Sequence, residues 1–488
     1  MRRGAGAAVM GIGLLVATSV GAAQEIPPLP PPGAIETAPA EVPESESVAY
    51  PDAPPQSDDA KRGCGHDCGG ASCRRCRLSD RLDQIFAPHE IGPCGRWGTL
   101  DVGGQIRLRC HHEQGMGQQA GATRFQATQN DFLLTRLRVF ADWQANDWLR
   151  VYAEGLYADV WAEPNYVPRI IDENDFDAQN LYADLKLTDC LTLRVGRQEL
   201  LYGEQRLVSP LDWANTRRTF EGAKIMYRND DWAVDGFFTN FVPPNPGGFD
   251  RPEYDISLYG VYATRTMGDH VLDLYYLGTD NQLTGGPPAT TDYSLHTFGG
   301  RIYGEHGCWL YELEGGGQFG RQSGLGVNQS ANFVTAGLGH KFCCPGDPTL
   351  WFYYDYASGD VPGGDFNRFN DLFPLGHKYL GFIDAVLRRN VQAPNVLFTF
   401  KPTKKTKALL WYYHFLADED EDIIQSIGGT PAQLGDERHF GDELDVILSY
   451  QICEKSDILF GWSHFWAGEK IVDGRDADFF YTQWQYHF

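Results

Sequence analysis

Beyond its N-terminus, the 488-residue chain lacks any uninterrupted apolar run long enough to cross a bilayer as a helix. Its mean hydropathy is −0.38. A polytopic helical membrane protein needs spans of about 20 apolar residues and is therefore excluded. A β-barrel is not, because its strands are apolar on one face only. Basic residues are few beside acidic ones, 41 Lys+Arg against 65 Asp+Glu, a net charge of −24. That balance argues against nucleic acid as a partner.

Signatures of catalysis are missing too. No G-x-S-x-G, H-E-x-x-H or P-loop sequence occurs. Arg77 follows Cys76, so C-x-x-C-H and covalent haem are absent. The acidic run DEDED at 418–422 lacks the EF-hand spacing and reads as a solvated loop. Glu154 and Asp184 are a carboxylate pair of the kind glycosidases use, but no cleft is evident around them. His111-His112 reads as a solvent-facing pair at a loop start rather than a metal site. The chain is not expected to be an enzyme, and no cofactor is expected.

What the chain has is aromatic residues, 13% of the total, and 55 glycines. That profile suits strands and aromatic girdles. At the N-terminus, Arg2 and Arg3 precede an apolar core from about Ala7 to Val20, followed by Gly21-Ala22-Ala23. Residues 1–23 are expected to be a cleaved secretory signal. Its removal takes two arginines and no acid, leaving 39 Lys+Arg against 65 Asp+Glu, a formal −26. Residues 24–63 are Pro-rich and acidic, the composition of a disordered or extended linker. A Cys-rich segment, 64–98, follows, with a short helix expected over LSDRLDQIFAPHE. Cys64, Cys68, Cys73 and Cys76 fit disulfides in an oxidising compartment or, with His66, a small zinc knot. Cys190, Cys308, Cys343 and Cys453 fall at expected turns, and their pairing is open.

From Thr99 onward the pattern changes. Alternating segments of about ten residues lie near 99–109, 132–143, 147–159, 176–188, 191–199, 219–229, 231–241, 255–265 and 270–280. They continue near 294–304, 308–319, 330–342, 348–359, 394–401, 406–417, 441–452, 456–467 and 478–488. Tight connections such as 229–232 and 454–457 alternate with long ones such as 200–218 and 360–393. About eighteen strands with this connectivity predict an all-β fold, a large antiparallel transmembrane β-barrel over 99–488. The aromatic-alternating last strand, ending at Phe488, looks like the assembly signal of such barrels. A soluble sandwich would need apolar inner faces; here one face is apolar and the other strongly polar.

In FLLTRLRVFADW, Leu133, Leu137, Val139 and Trp143 share one face, while Arg136 and Arg138 share the other. In LDVGGQIRLR, Val102, Ile106 and Leu108 oppose Gln105, Arg107 and Arg109. A lipid-facing Arg costs roughly 2–4 kcal/mol at the midplane. Arg107, Arg109, Arg136, Arg138, Arg150 and Arg194 are therefore expected to point inward. Guanidinium rings of charge suit carboxylate recognition. The same arginines could instead form ladders with Asp142, Glu154 and Asp184, and the two readings are compatible.

The run LRVGRQELLYGEQRLVSPLDWANTRRTFEG, 193–222, is similar to the signature region of the alginate-export (AlgE-like) outer-membrane barrels. So are NLYADLKL, YDYASGD at 354–360, FPLGHKYLGFID at 373–384 and the closing pair GDELDVILSY and FFYTQWQYHF. The resemblance implies passive passage of an anionic uronate polysaccharide or oligosaccharide through an Arg-lined pore. By position it implies polymer contacts at Arg197, Arg206, Arg217 and Arg218, beside Arg107, Arg109, Arg136, Arg138 and Arg194, with Asp355 orienting one of them. It further implies outer-membrane lipid and export proteins of the periplasm as partners. A general anion-selective porin, or a barrel anchoring the Cys-rich segment at the surface, is the alternative.

Overall fold

Strict period-two alternation over long segments leaves one face of each strand apolar, and closing the sheet satisfies every backbone group at once. The computed structural model describes residues 89–92, 96–283, 292–424 and 432–488. The expected signal peptide, linker, cysteine cluster and most of the expected helix lie outside the described residues. His89–Glu90, the end of that helix, instead forms a two-residue strand, β1, against Thr99 and Leu100.

The barrel strands are β2(Thr99–Gln114), β3(Gln129–Asn146), β4(Leu149–Ala162), β5(Asn174–Thr188), β6(Leu191–Gln198), β7(Thr219–Arg228), β8(Trp232–Val242), β9(Glu253–Met267) and β10(His270–Asn281). They continue as β11(Tyr293–His306), β12(Trp309–Gln322), β13(Val327–Lys341), β14(Thr349–Ala357), β15(Val391–Thr403), β16(Thr406–Leu416), β17(His439–Cys453), β18(Ser456–Ala467) and β19(Ala477–His487). Each pairs antiparallel with its neighbour in sequence, and β19 closes onto β2, Gln483 opposite Arg109. The eighteen-stranded barrel is thus the architecture that the alternation predicts.

Facing follows the pattern. Leu108, Leu137, Val139, Phe298, Phe352 and Phe480 are exposed on the outer face, while Arg107, Arg109 and Arg136 are buried within. Several strands run past the expected ends: β2 continues to Gln114 and β3 spans 18 residues. His111 therefore still points inward and is buried, contrary to the solvent-facing expectation. Short turns such as 147–148, 268–269 and 454–455 cluster at one end, the periplasmic side of such barrels. The long connections 115–128, 163–173, 199–218, 358–390, 417–438 and 468–476 join strand ends at the other.

Two of these loops fold back inside. Leu207, Val208, Trp213 and Phe220 in and beside loop 199–218 join Phe369, Phe373, Leu375, Phe382 and Ile383 of loop 358–390 in one apolar cluster. Backbone bonds couple them: Ser209 N donates to Phe373 O and Phe373 N to Leu207 O, both at 2.9 Å. A four-residue helix, α1(Gly376–Tyr379), follows this contact. Each fully buried Leu, Ile or Phe contributes about 1.5–3 kcal/mol, which offsets the entropy of ordering such long loops. At this level the lumen is packed rather than the open pore that the resemblance implied. The acidic run also departs from expectation. Asp422 pairs with Arg368, and Asp418 accepts from Gly359 N at 3.1 Å and Tyr356 Oη at 3.2 Å, tying the run to loop 358–390.

Candidate functional site

Loop 199–218 reaches the barrel wall because its backbone turns back on itself. Gly203 takes φ +53°, and a Cβ there would lie 2.5 Å from Tyr262 Oη. Leu211 (φ 51°) and Arg217 (φ 53°) adopt the left-handed region, which side chains rarely occupy. Ser209 Oγ accepts from Leu211 N at 2.9 Å. The turn between these residues presents Asp212 to β2 and β3.

There the expected inward arginines meet it. Arg107 donates to the carbonyls of Asp212 (2.6 Å) and Ala214 (3.0 Å). Arg136 donates to the same two carbonyls, each at 3.2 Å, and to Asp212 Oδ1 at 2.8 Å. Arg217 also donates to Asp212 Oδ1 and forms a fork on Glu199, both bonds 2.7 Å. Arg107 approaches Asp212 Oδ2 at 3.8 Å. One carboxylate thus sits among three guanidiniums, with only 17% of its side chain exposed. Bidentate and charge-assisted contacts of this kind are the strong ones.

The remaining nominated residues distribute along the wall. Arg138 bonds Glu154 at 2.5 Å, and Arg194 bonds Asp184 at 2.6 Å. Arg150 joins Asp142 at 2.7 Å and Asp184 at 3.3 Å. This is the ladder that the sequence allowed, and it takes up Glu154 and Asp184. Arg197 pairs with Asp177 at 3.1 Å and donates to Asp250 O at 3.0 Å. Arg109 lies 3.7 Å over the Trp213 ring. Arg218 donates to Pro374 O at 3.2 Å, joining the two in-folded loops. Arg206 is apart from this group, held by Glu312 (2.6 Å) and Glu314 (2.8 Å) on β12. Asp355 orients none of the nominated arginines. It holds Arg388 at 2.8 Å and Asn395 at 3.0 Å, because loop 358–390 comes between it and them.

The alternation alone pointed to none of Asp212, Glu199, Trp213, His377, Arg124 and Arg169, because all but β6-adjacent Glu199 lie well inside loops. Trp213 stacks on His377 at 3.5 Å, and His377 Nδ1 is 2.9 Å from Asp384. Burial lowers the His377 pKa, although Asp384 opposes the shift. Arg124 donates to Ile383 O at 2.7 Å, and burial, reinforced by Arg169, lowers its pKa to about 10. Between these groups lies a cavity of about 20 Å³, bounded by Arg109, Arg124, Arg169 and Trp213, room for about one water. One sequence signal was available for loop 358–390. Its run FPLGHKYLGFIDAVL is too apolar for a solvated loop.

Residues 99–482 match the family described as "Alginate export". The chain belongs to the alginate-export family. No curated protein matches it. Among solved structures, Acinetobacter baumannii OccAB3 is similar at 12% identity and TM-score 0.55, over 80% of this chain and 99% of that one. Pseudomonas aeruginosa OccK2 (OpdF) gives 13% identity and TM-score 0.54, covering 80% and 98%. Pseudomonas aeruginosa OpdK with vanillate gives 11% identity and TM-score 0.53, covering 80% and 98%. Identities this low speak to the barrel fold. The alginate-export barrel described here is an outer-membrane channel: its apolar belt faces lipid, and Arg107, Arg109 and Arg136 face the interior.

Proposed function

We propose that this channel passes anionic, carboxylate-bearing polysaccharide or oligosaccharide, of the uronate kind, by passive diffusion. One observation carries the reading: the Asp212 carboxylate held by Arg107, Arg136 and Arg217. A side-chain carboxylate in that nest stands in for a uronate carboxylate. A passing uronate would displace Asp212 and inherit its guanidinium partners. Arg109, Arg138, Arg194 and Arg197 extend the guanidinium lining along the wall, and Arg206 and Arg218 brace the two in-folded loops. Exchange of one carboxylate for another keeps the arginines paired throughout, so passage does not require isolated buried charges.

The packed lumen favours a second reading, a porin for small anions that never admits polymer. Planar-bilayer conductance separates the two. Oligouronates are expected to block an anion-selective current, and Arg136→Gln is expected to weaken the block. Permeation of small anions with no block by oligouronates of any length supports the second reading. A cation-selective current indifferent to Arg136→Gln defeats both.

A further inference from the structure

Outside the lumen, three side chains converge at the loop end of β16 and β17. His414 and Asp442 are register partners across the two strands, and His439 opens β17. One ligand atom from each lies within 4.8 Å of the others. Asp442 offers one oxygen to each ring: Oδ1 is 2.8 Å from His414 Nδ1, and Oδ2 is 3.0 Å from His439 Nε2. Two imidazoles and one carboxylate are a donor set for borderline divalent metals.

The groups behind these atoms make an independent case. His439 Nδ1 is 2.7 Å from Glu469 Oε2, which fixes the ring and leaves Nε2 as its ligand atom. Tyr412 Oη donates to Asp442 Oδ1 at 2.6 Å, orienting the carboxylate. A carboxylate behind a ligating imidazole is the arrangement that orients metal-binding histidines and raises their basicity. Neighbouring strands offer a comparison. His464 pairs with Asp478 at 2.8 Å, and His112 with Asp131 at 2.7 Å. Each of these brings a single imidazole to its carboxylate. Among the described residues, only the 414–439–442 group brings three such ligand atoms within 4.8 Å of one another. Its side chains are 39%, 30% and 21% exposed, so an ion can reach them.

We propose that His414, His439 and Asp442 form a divalent transition-metal site, for Zn²⁺, Ni²⁺ or Cu²⁺, on the outer rim of the barrel. Three protein ligands leave at least one coordination position to solvent. Ligand atoms must be deprotonated to hold an ion, so binding weakens as pH falls. Through Glu469 the bound ion also ties loop 468–476 to the base of loop 417–438.

The test is Co²⁺ titration of the untagged full chain in detergent, followed by visible absorption. Cobalt held by imidazole and carboxylate gives ligand-field bands, whereas the N-terminal cysteines would add thiolate charge-transfer absorption. One equivalent without the thiolate signature is expected, displaced by Zn²⁺. The double change His414→Ala/His439→Ala is expected to abolish it, as is the milder Asp442→Asn. His112→Ala/His464→Ala is expected to leave it intact. Glu469→Gln is expected to weaken binding by about 10–100-fold. Heat-modifiable gel migration confirms that each variant is a folded barrel. Thiolate-type absorption alone, or ligand-field bands that survive loss of both His414 and His439, overturns the proposal.

Discussion

Replacing Asp212 by Asn tests whether the arginine nest holds loop 199–218 inside the barrel. The substitution keeps the side chain's shape and removes its charge. Two charge-assisted contacts are degraded, those from Arg136 (2.8 Å) and Arg217. Three guanidiniums are then left around a neutral group. Removing one partner of a buried ion pair costs about 3–5 kcal/mol. The lower end applies, because Asp212 is 17% exposed and because Arg107 and Arg136 keep their bonds to the Asp212 and Ala214 carbonyls. About 3 kcal/mol, at 1.4 kcal/mol per tenfold, shifts the in–out equilibrium of the loop roughly 100-fold. Hydrogen-exchange mass spectrometry should show residues 207–216 losing protection, and single-channel records should show a larger or longer-lived open level. Unchanged exchange together with unchanged conductance would refute the idea that this nest retains the loop.

Four further outcomes are expected. Arg206→Met leaves Glu314 without its guanidinium while Glu312 keeps Arg301 at 2.7 Å; it costs about 3 kcal/mol, the low end for a broken buried pair, and lowers the thermal midpoint, and adding Glu314→Gln should recover part of the loss. Gly381 has φ +88°, and a Cβ there would lie 2.3 Å from Glu443 Oε2. Gly381→Ala should therefore release loop 358–390 from β17, read as new protease cleavage in that loop. Burial, with Asp177 nearby and against the Asn174 bond, pushes the Asp250 carboxyl up from 3.8 to about 6. Its stabilising effect is thus full below about pH 4 and lost as pH rises through 6, so loop 243–252 should exchange faster at pH 7 than at pH 5 after intrinsic-rate correction, and Asp250→Asn should flatten that difference. Cys308 and Cys343 place their sulfurs 3.7 Å apart on adjacent turns. A periplasmic dithiol oxidase, by reducing its own disulfide, should take two electrons and two protons from them. Non-reducing peptide maps should then link these two cysteines and not Cys190 or Cys453.

The sequence by itself determined the barrel. A period of two over β2 to β19 decides which face meets lipid, and the cost of a charge in hydrocarbon leaves no other orientation for Arg107, Arg109 or Arg136. It also marked 200–218 as a long connection, which is the loop now seen inside. Alternation is a local property, so it reports where a side chain points and not what it meets. Only the tertiary structure decided that Arg107 and Arg136 close on Asp212, a residue over 70 positions away in sequence. The same holds for Asp355, whose partner Arg388 comes from a loop that the strand pattern could not place. Loops carry no period, and their course is set by which apolar groups they bury. Trp213 over His377 and Phe220 against Phe373 are contacts between distant segments. Such contacts exist only once the wall has closed and brought the loops to a common interior.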